Sequence, residues 1–311
     1  MATNHNQETN TNIEIKQTAQ TSHVEVVHEP TIYAEPIFHV GSLQITNALL
    51  TSWLAVFVII LISLLLRFRL KKIPGKFQHF FEIIIDGGLS LVDQVTNDRK
   101  ISNKIFPFVF SVFIFIIVNN WLGIMPFIGS IGFYMMHDGH NVFVPMFRGG
   151  TADINMTLTL GILSVVGSNI FGIFILGVWK TINKYVKIQE LGSIFTKIKK
   201  DPSIVVVAPI SFFVGIVELI GEMAKIASLS FRLFGNIFAG EVLLSSMAAI
   251  FAFGIPMPFL FLEVFVGLIQ ALIFSLLTTV YFTIAAQDHD DHRHEEHPKH
   301  RTNKEERLVQ V

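Results

Sequence analysis

Five stretches of this chain are long and apolar enough to cross a lipid bilayer, and no other feature narrows its fold as much. They run over about 46–66, 106–125, 156–179, 204–250 and 259–286. A helix needs roughly 20 apolar residues to cross roughly 30 Å of hydrocarbon. The composition agrees: 51% of residues are hydrophobic, 15% are charged, and Phe alone occurs 30 times. Soluble domains carry about a quarter charged residues. The expected fold class is therefore all-α membrane protein. A net charge of -1 gives no bulk attraction to nucleic acid, and none is expected as a partner. The sequence contains no Cys, which excludes disulfides, thiolate metal sites and cysteine nucleophiles.

Basic residues in the connections orient the spans. Arg67, Arg69, Lys71, Lys72, Lys76, Arg99, Lys100 and Lys104 lie between the first and second spans. Lys180, Lys184, Lys187, Lys197, Lys199 and Lys200 lie between the third and fourth, and Arg293, Lys299, Arg301, Lys304 and Arg307 follow the fifth. Lys16 and Arg148 stand alone on the opposite face. The alternation places the N-terminus outside and the C-terminus in the cytoplasm. Residues 1–40 are polar, without the basic start and apolar core of a signal peptide, and are expected to form a largely disordered outer tail. Residues 41–286 form the membrane domain. Residues 287–311 form a charged cytoplasmic tail rich in His. The spacing of its five His matches no defined metal site, so a solvated tail is expected and no metal site is assigned.

Between the first two spans, Phe77, Phe80, Phe81, Ile84 and Leu89 recur at helical spacing among Glu82, Asp86 and Asp93. This predicts an amphipathic helix over about 77–95 on the cytoplasmic surface, interrupted at Gly87 and Gly88.

The fourth span holds five charges: Glu218, Glu222, Lys225, Arg232 and Glu241. A charge at mid-bilayer costs from roughly 2.5 to well over 10 kcal/mol, so these side chains must face protein or water. Glu222 and Lys225 are three apart and can form a structural ion pair. Lys225, Ser228, Arg232 and Asn236 follow at spacings of three, four and four, on one face. Glu241 is nine residues past Arg232, about 13 Å along the axis and half a turn round, so the two cannot pair directly. No acid lies three or four positions from Arg232. Since Arg does not lose its proton in practice, its counter-charge must come from elsewhere. Glu263 in the fifth span is one candidate, and a carboxylate on a second protein is the other.

Glu263 and Gln270 are seven apart and share a face, as helix-joining polar residues or as a hydrated lining. Asn119 and Asn120 near the end of the second span, and Asp153 and Asn155 before the third, fall at the outer face. Read alone, they are interfacial polar residues. The outer loop also carries His137-Asp138-Gly139-His140, read as plain loop. Neither a His-Glu-x-x-His motif nor a phosphate-binding glycine loop occurs.

The run from Ser228 to Glu241, Ser-Leu-Ser-Phe-Arg-Leu-Phe-Gly-Asn-Ile-Phe-Ala-Gly-Glu, resembles the signature of subunit a of F-type ATP synthases. The resemblance extends to Asn-Asn-Trp-Leu-Gly-Ile-Met-Pro (119–126), Thr-Ala-Asp-Ile-Asn-Met-Thr-Leu (151–158) and Leu-Ile-Gln-Ala-Leu-Ile-Phe (268–274), and so spans about 45–286. It implies an ion-translocating stator subunit, not itself catalytic, within an ion-transporting ATPase. Its partners would be the c-ring, the peripheral-stalk b subunits, other ATP synthase subunits and the bilayer, in a bacterial cytoplasmic (inner) membrane. Arg232 would be the essential cation facing the c-ring carboxylate. Glu241, Glu263, Gln270, Asn120, Asp153 and Asn155 would line the half-channel open to the outside. Glu218, Ser228 and Asn236 would serve the cytoplasmic half-channel. Glu263 stands where many relatives have His. No cofactor is implied. The expected ion is H⁺, with Na⁺ as the alternative.

A straight helix over the fourth span would be about 70 Å long, twice a perpendicular crossing. The fourth and fifth spans are therefore expected to form a long, steeply tilted C-terminal helical hairpin. Two other function classes fit the span pattern less well. A self-sufficient secondary transporter would show two similar halves with interrupted helices, and no such repeat is seen. An intramembrane hydrolase would need a pair of acids on facing helices, for which Glu241 and Glu263 are the candidates, and would leave Arg232 without a role.

Overall fold

The computed structural model describes residues 32–178 and 204–287, apart from 42, 72–74, 126–127, 129, 138–139 and 252–253. Among them are six α-helices: α1 (Asn47–Arg69), α2 (Lys76–Thr96), α3 (Arg99–Ile124), α4 (Ile154–Leu176), α5 (Ile204–Ile250) and α6 (Pro256–Ala286). All but α2 are long and apolar enough to cross a bilayer. Their surfaces say the same. Phe57, Ile60, Leu61, Leu64 and Leu65 of α1 are all exposed, an apolar face that water would not tolerate on this scale. The chain is thus a multi-pass, all-α integral membrane protein. Of the predicted tails, 1–40 and 287–311, residues 1–31 and 288–311 lie outside the described residues, as does the basic connection over 179–203.

Two antiparallel hairpins supplement the helices. Strand β1 (Pro36–Val40) pairs with β2 (Leu43–Thr46), and β3 (Gly132–His137) with β4 (His140–Pro145). Residues 36–40, which composition assigns to the outer tail, thus form a strand. Of the His137–His140 segment, read as loop, His137 ends β3 and His140 begins β4, and the two are register partners; residues 138 and 139 lie outside the described residues. Thr46 then caps α1, its hydroxyl accepting from Leu49 N at 3.4 Å.

Helix α2 corrects one expectation. It runs unbroken through Gly87 and Gly88. Each Gly costs about 1 kcal/mol relative to Ala in a helix, too little to break one whose apolar face is packed. The open side of Gly88 lies under the Phe106 and Phe110 rings. Helix α3 begins at Arg99, before the apolar run, because its charged first turns are helical as well, and Pro107 sits inside it.

The chain divides into two compact units. One comprises Met1–Phe81, Ser111–Thr159 and Leu229–Phe274; the other comprises Glu82–Phe110, Leu160–Ser228 and Ser275–Val311. The second has its core where Val92, Ile105, Val109 and Phe282 meet, with the Phe108 and Phe171 rings tilted against Phe282 at centroid distances of 5.1 and 5.3 Å. The first buries Ile116, Leu229, Leu233 and Phe274 together with a set of polar residues, and the polar contacts build the site.

Candidate functional site

In the first unit, short polar residues join the helices where water is excluded. Asn120 is 1% exposed. Its Nδ2 donates to the Gly267 carbonyl at 2.9 Å, fixing α3 to α6. Its Oδ1 accepts from the Thr151 hydroxyl at 2.7 Å, fixing the turn before α4. Trp121 Nε1 donates to the Val264 carbonyl at 3.3 Å. Beside them the buried Asn119 amide donates to the Phe115 carbonyl, and its Oδ1 accepts from Ser52 on α1 at 3.3 Å. A buried amide left unpaired costs about 1–3 kcal/mol, so these bonds hold the surrounding backbone in register.

The loop ahead of α4 supplies a residue that sequence reasoning left on the outer face without a role. Arg148 is 5% exposed. Its Nε donates to Glu241 Oε1 at 2.9 Å and its Nη2 to Glu241 Oε2 at 2.8 Å, a fork matched to both carboxylate oxygens. Its Nη1 donates to the Tyr33 carbonyl at 3.3 Å, and its backbone N–H to the Thr51 hydroxyl at 3.1 Å. The partners are 93 residues apart, so no spacing rule reveals the pair. The available signal was that Arg148 is one of two basic residues on its predicted side.

Glu263 on α6 is buried, and its carboxylate occupies the space beside Gly240 that a Cβ there would fill. Among the described residues it makes no hydrogen bond or ion pair. Glu263, Glu241, Arg148, Asn120 and Thr151 line one cavity of about 260 Å³, with apolar walls that include Ile124, Ile237 and Leu244. A water occupies about 30 Å³ of liquid, so several fit.

Arg232, also in this unit, is exposed on α5, and no ion pair or hydrogen bond engages it among the described residues. Glu263 does not answer its charge. Asn236, one turn on, is exposed but donates to Gln270 Oε1 at 2.8 Å. Two residues assigned to opposite half-channels are therefore in direct contact. Gln270 is 2% exposed, and its Nε2 has no hydrogen-bond partner among the described residues. Asp153 is buried and acts as a helix cap: its Oδ1 accepts from Asn155 N at 3.2 Å, and α4 starts at the next residue. Asn155 itself is exposed.

In the second unit Lys225 Nζ meets Glu222 Oε1 at 2.7 Å. Lys225 also lies over the Tyr281 ring at 5.3 Å, and Asn169 donates to Glu222 Oε2 at 3.5 Å, so the pair joins α5 to α4 and α6. Glu218 is half-buried and Ser228 exposed. Among the described residues no group of three or more His, Cys, Asp or Glu is placed to hold a metal.

A family model described as ATP synthase A chain matches residues 49–283. The chain is 32% identical over 235 residues to a protein named ATP synthase subunit a from Geotalea daltonii, covering 76% of this chain and 85% of that one. It is 31% identical over 237 residues to the protein of that name from Syntrophobacter fumaroxidans, covering 76% and 82%. The protein of that name from Mycobacterium ulcerans is 29% identical over 252 residues, covering 79% and 89%.

Proposed function

The chain belongs to the ATP synthase subunit a family, as an ion-transporting subunit of the membrane sector that works with other ATP synthase subunits, and from that premise we propose that it carries ions to and from a c-ring carboxylate through two half-channels separated by Arg232. The observation that carries this reading is Arg232 itself. A guanidinium stays charged at any accessible pH. On a membrane-spanning helix it needs a counter-charge, and none is found among the described residues. A carboxylate brought by a second protein satisfies it. The cation favours the ionised form of that carboxylate, so an arriving acid gives up its proton there. It also repels a cation moving directly from one half-channel to the other.

The remaining polar residues suit the two paths. Glu241, Glu263, Gln270, Asn120, Asp153 and Asn155 all belong to the unit that contains the cavity, whereas Glu218 and Ser228 belong to the other. Asn236, bonded to Gln270 one turn from Arg232, stands at the boundary. The crossing segment of α5, Phe213–Ile250, has 38 residues and would be about 57 Å long. It fits a roughly 30 Å core only when steeply tilted, which lets α5 and α6 run along a curved ring surface. By the basic connections, the N-terminus faces outside and the C-terminus the cytoplasm of a bacterial inner membrane, with b subunits completing the stator. H⁺ is the proposed ion. The alternatives lose ground: Glu241, one of the two acids a hydrolase would need, is engaged by Arg148, and a secondary transporter would not need a partner carboxylate.

Cysteine accessibility tests the paths directly, because the wild-type chain has no Cys. Ag⁺ reacts with thiolates, which form only where water reaches. Ser228→Cys should react with Ag⁺ from the cytoplasmic side, and Glu241→Cys from the outside. Equal reactivity of both from both faces would mean one continuous pore and would refute the two-channel reading.

A further inference from the structure

Two acids, Glu241 and Glu263, share the cavity, but the protein treats them differently. Both oxygens of Glu241 are taken by the Arg148 fork. That guanidinium is only 4% exposed and is itself held by the Tyr33 carbonyl and, through its backbone, by Thr51. It is therefore unlike an exposed surface pair, which contributes little. Glu263 has no such partner among the described residues, and its carboxylate sits against Gly240 at the edge of the same cavity.

We infer that Arg148 is a positioning residue of the outer path: it neutralises and immobilises Glu241, which leaves Glu263 as the acid that exchanges the ion with water in the cavity. This rests on the half-channel reading above. The exchange is two proton transfers. A hydronium ion in the cavity water gives a proton to a Glu263 oxygen and becomes water, and that O–H bond breaks when the proton passes inward, so Glu263 returns to its starting state. Arg148 forms no bond to the ion. Its part is to keep the second negative charge in the same cavity from competing for the proton. The loop before α4 is thereby joined to the transport path, although Arg148 itself need not touch the ion.

The test uses the whole ATP synthase in inverted membrane vesicles, measuring ion-driven ATP synthesis per assembled complex. Arg148→Gln should cut the rate roughly tenfold or more, because it leaves Glu241 without its counter-charge. Arg148→Lys keeps the charge but not the fork, and should fall between wild type and Arg148→Gln. The decisive arm is Arg148→Gln with Glu241→Gln, which removes both charges: synthesis per assembled complex should exceed that of Arg148→Gln alone at least about threefold. A purely structural Arg148 would not be rescued by a change at Glu241, so a double mutant no better than Arg148→Gln overturns the inference. So does a rate unchanged in Arg148→Gln. Glu263→Ala separates this from the underlying reading. If it blocks synthesis while Arg148→Gln does not, only the role of Arg148 falls. If Glu263→Ala leaves synthesis intact, the outer path through this cavity falls with it.

Discussion

Gly240→Ala isolates the position of the Glu263 carboxylate from the stability of the fold. The new Cβ would occupy the place of the Glu263 carboxyl oxygens. Normal contact requires the carboxylate to retreat by at least about 1 Å, and a shift of that size at a group that hands on a proton costs roughly tenfold to a hundredfold in rate. The cost in folding is small for two reasons. The clash is with the end of a flexible side chain that borders a cavity of about 260 Å³, so there is room to move. An off-rotamer Glu costs roughly 0.5–1.5 kcal/mol. Replacing Gly by Ala inside a helix returns roughly 0.5–1 kcal/mol. The two nearly cancel. Gly240→Ala should therefore assemble at wild-type levels, measured by the amount of chain recovered with the intact complex, while ion-driven ATP synthesis per complex falls at least about tenfold. Synthesis at the wild-type rate would show that the placement of Glu263 is unimportant. Loss of assembly would show that the energetic balance is wrong.

Lys225→Ala leaves Glu222 half-buried without its cation and removes the contact over Tyr281. With Lys225 still about a third exposed, the loss should be roughly 1 kcal/mol, read as a lower unfolding midpoint of the purified complex, and a double-mutant cycle with Glu222→Gln should return a favourable coupling. Asp153→Ala removes the cap of α4 and should cost about 1 kcal/mol, with Asp153→Asn close to neutral because an amide oxygen caps equally well. If Asp153→Asn instead abolished transport in a normally assembled complex, the carboxylate would be part of the ion path.

What the sequence made legible follows from the solvent. In lipid, backbone groups must bond within their own segment, so the apolar runs had to be helices, and their number and order could be read directly. The i, i+3 pairing of Glu222 and Lys225 is local, and the amphipathic period of α2 is local, so both were visible. Helix ends were less so. The turns from Arg99 to Lys104 are charged, and hydropathy cannot report helix outside the hydrocarbon. Gly87 and Gly88 read as a break because propensity was weighed without the packing that overrides it. Contacts between distant segments were the real blind spot. Nothing in local spacing brings Arg148 to Glu241, Glu263 to Gly240, or Asn236 to Gln270, yet the first two fix the acids that line the cavity and the third ties α5 to α6 one turn from Arg232.

The central claim is that Arg232 provides a fixed charge for an acid outside this chain. It is tested most directly by replacing Arg232 in the whole complex and measuring ion-driven ATP synthesis in vesicles, with assembly quantified in parallel. Because Arg232 has no partner among the described residues, Arg232→Ala should leave assembly largely intact. It should abolish coupled synthesis, and Arg232→Lys should fail or work poorly, since an ammonium loses its proton when desolvated. Coupled synthesis near the wild-type rate in Arg232→Ala vesicles would contradict the account.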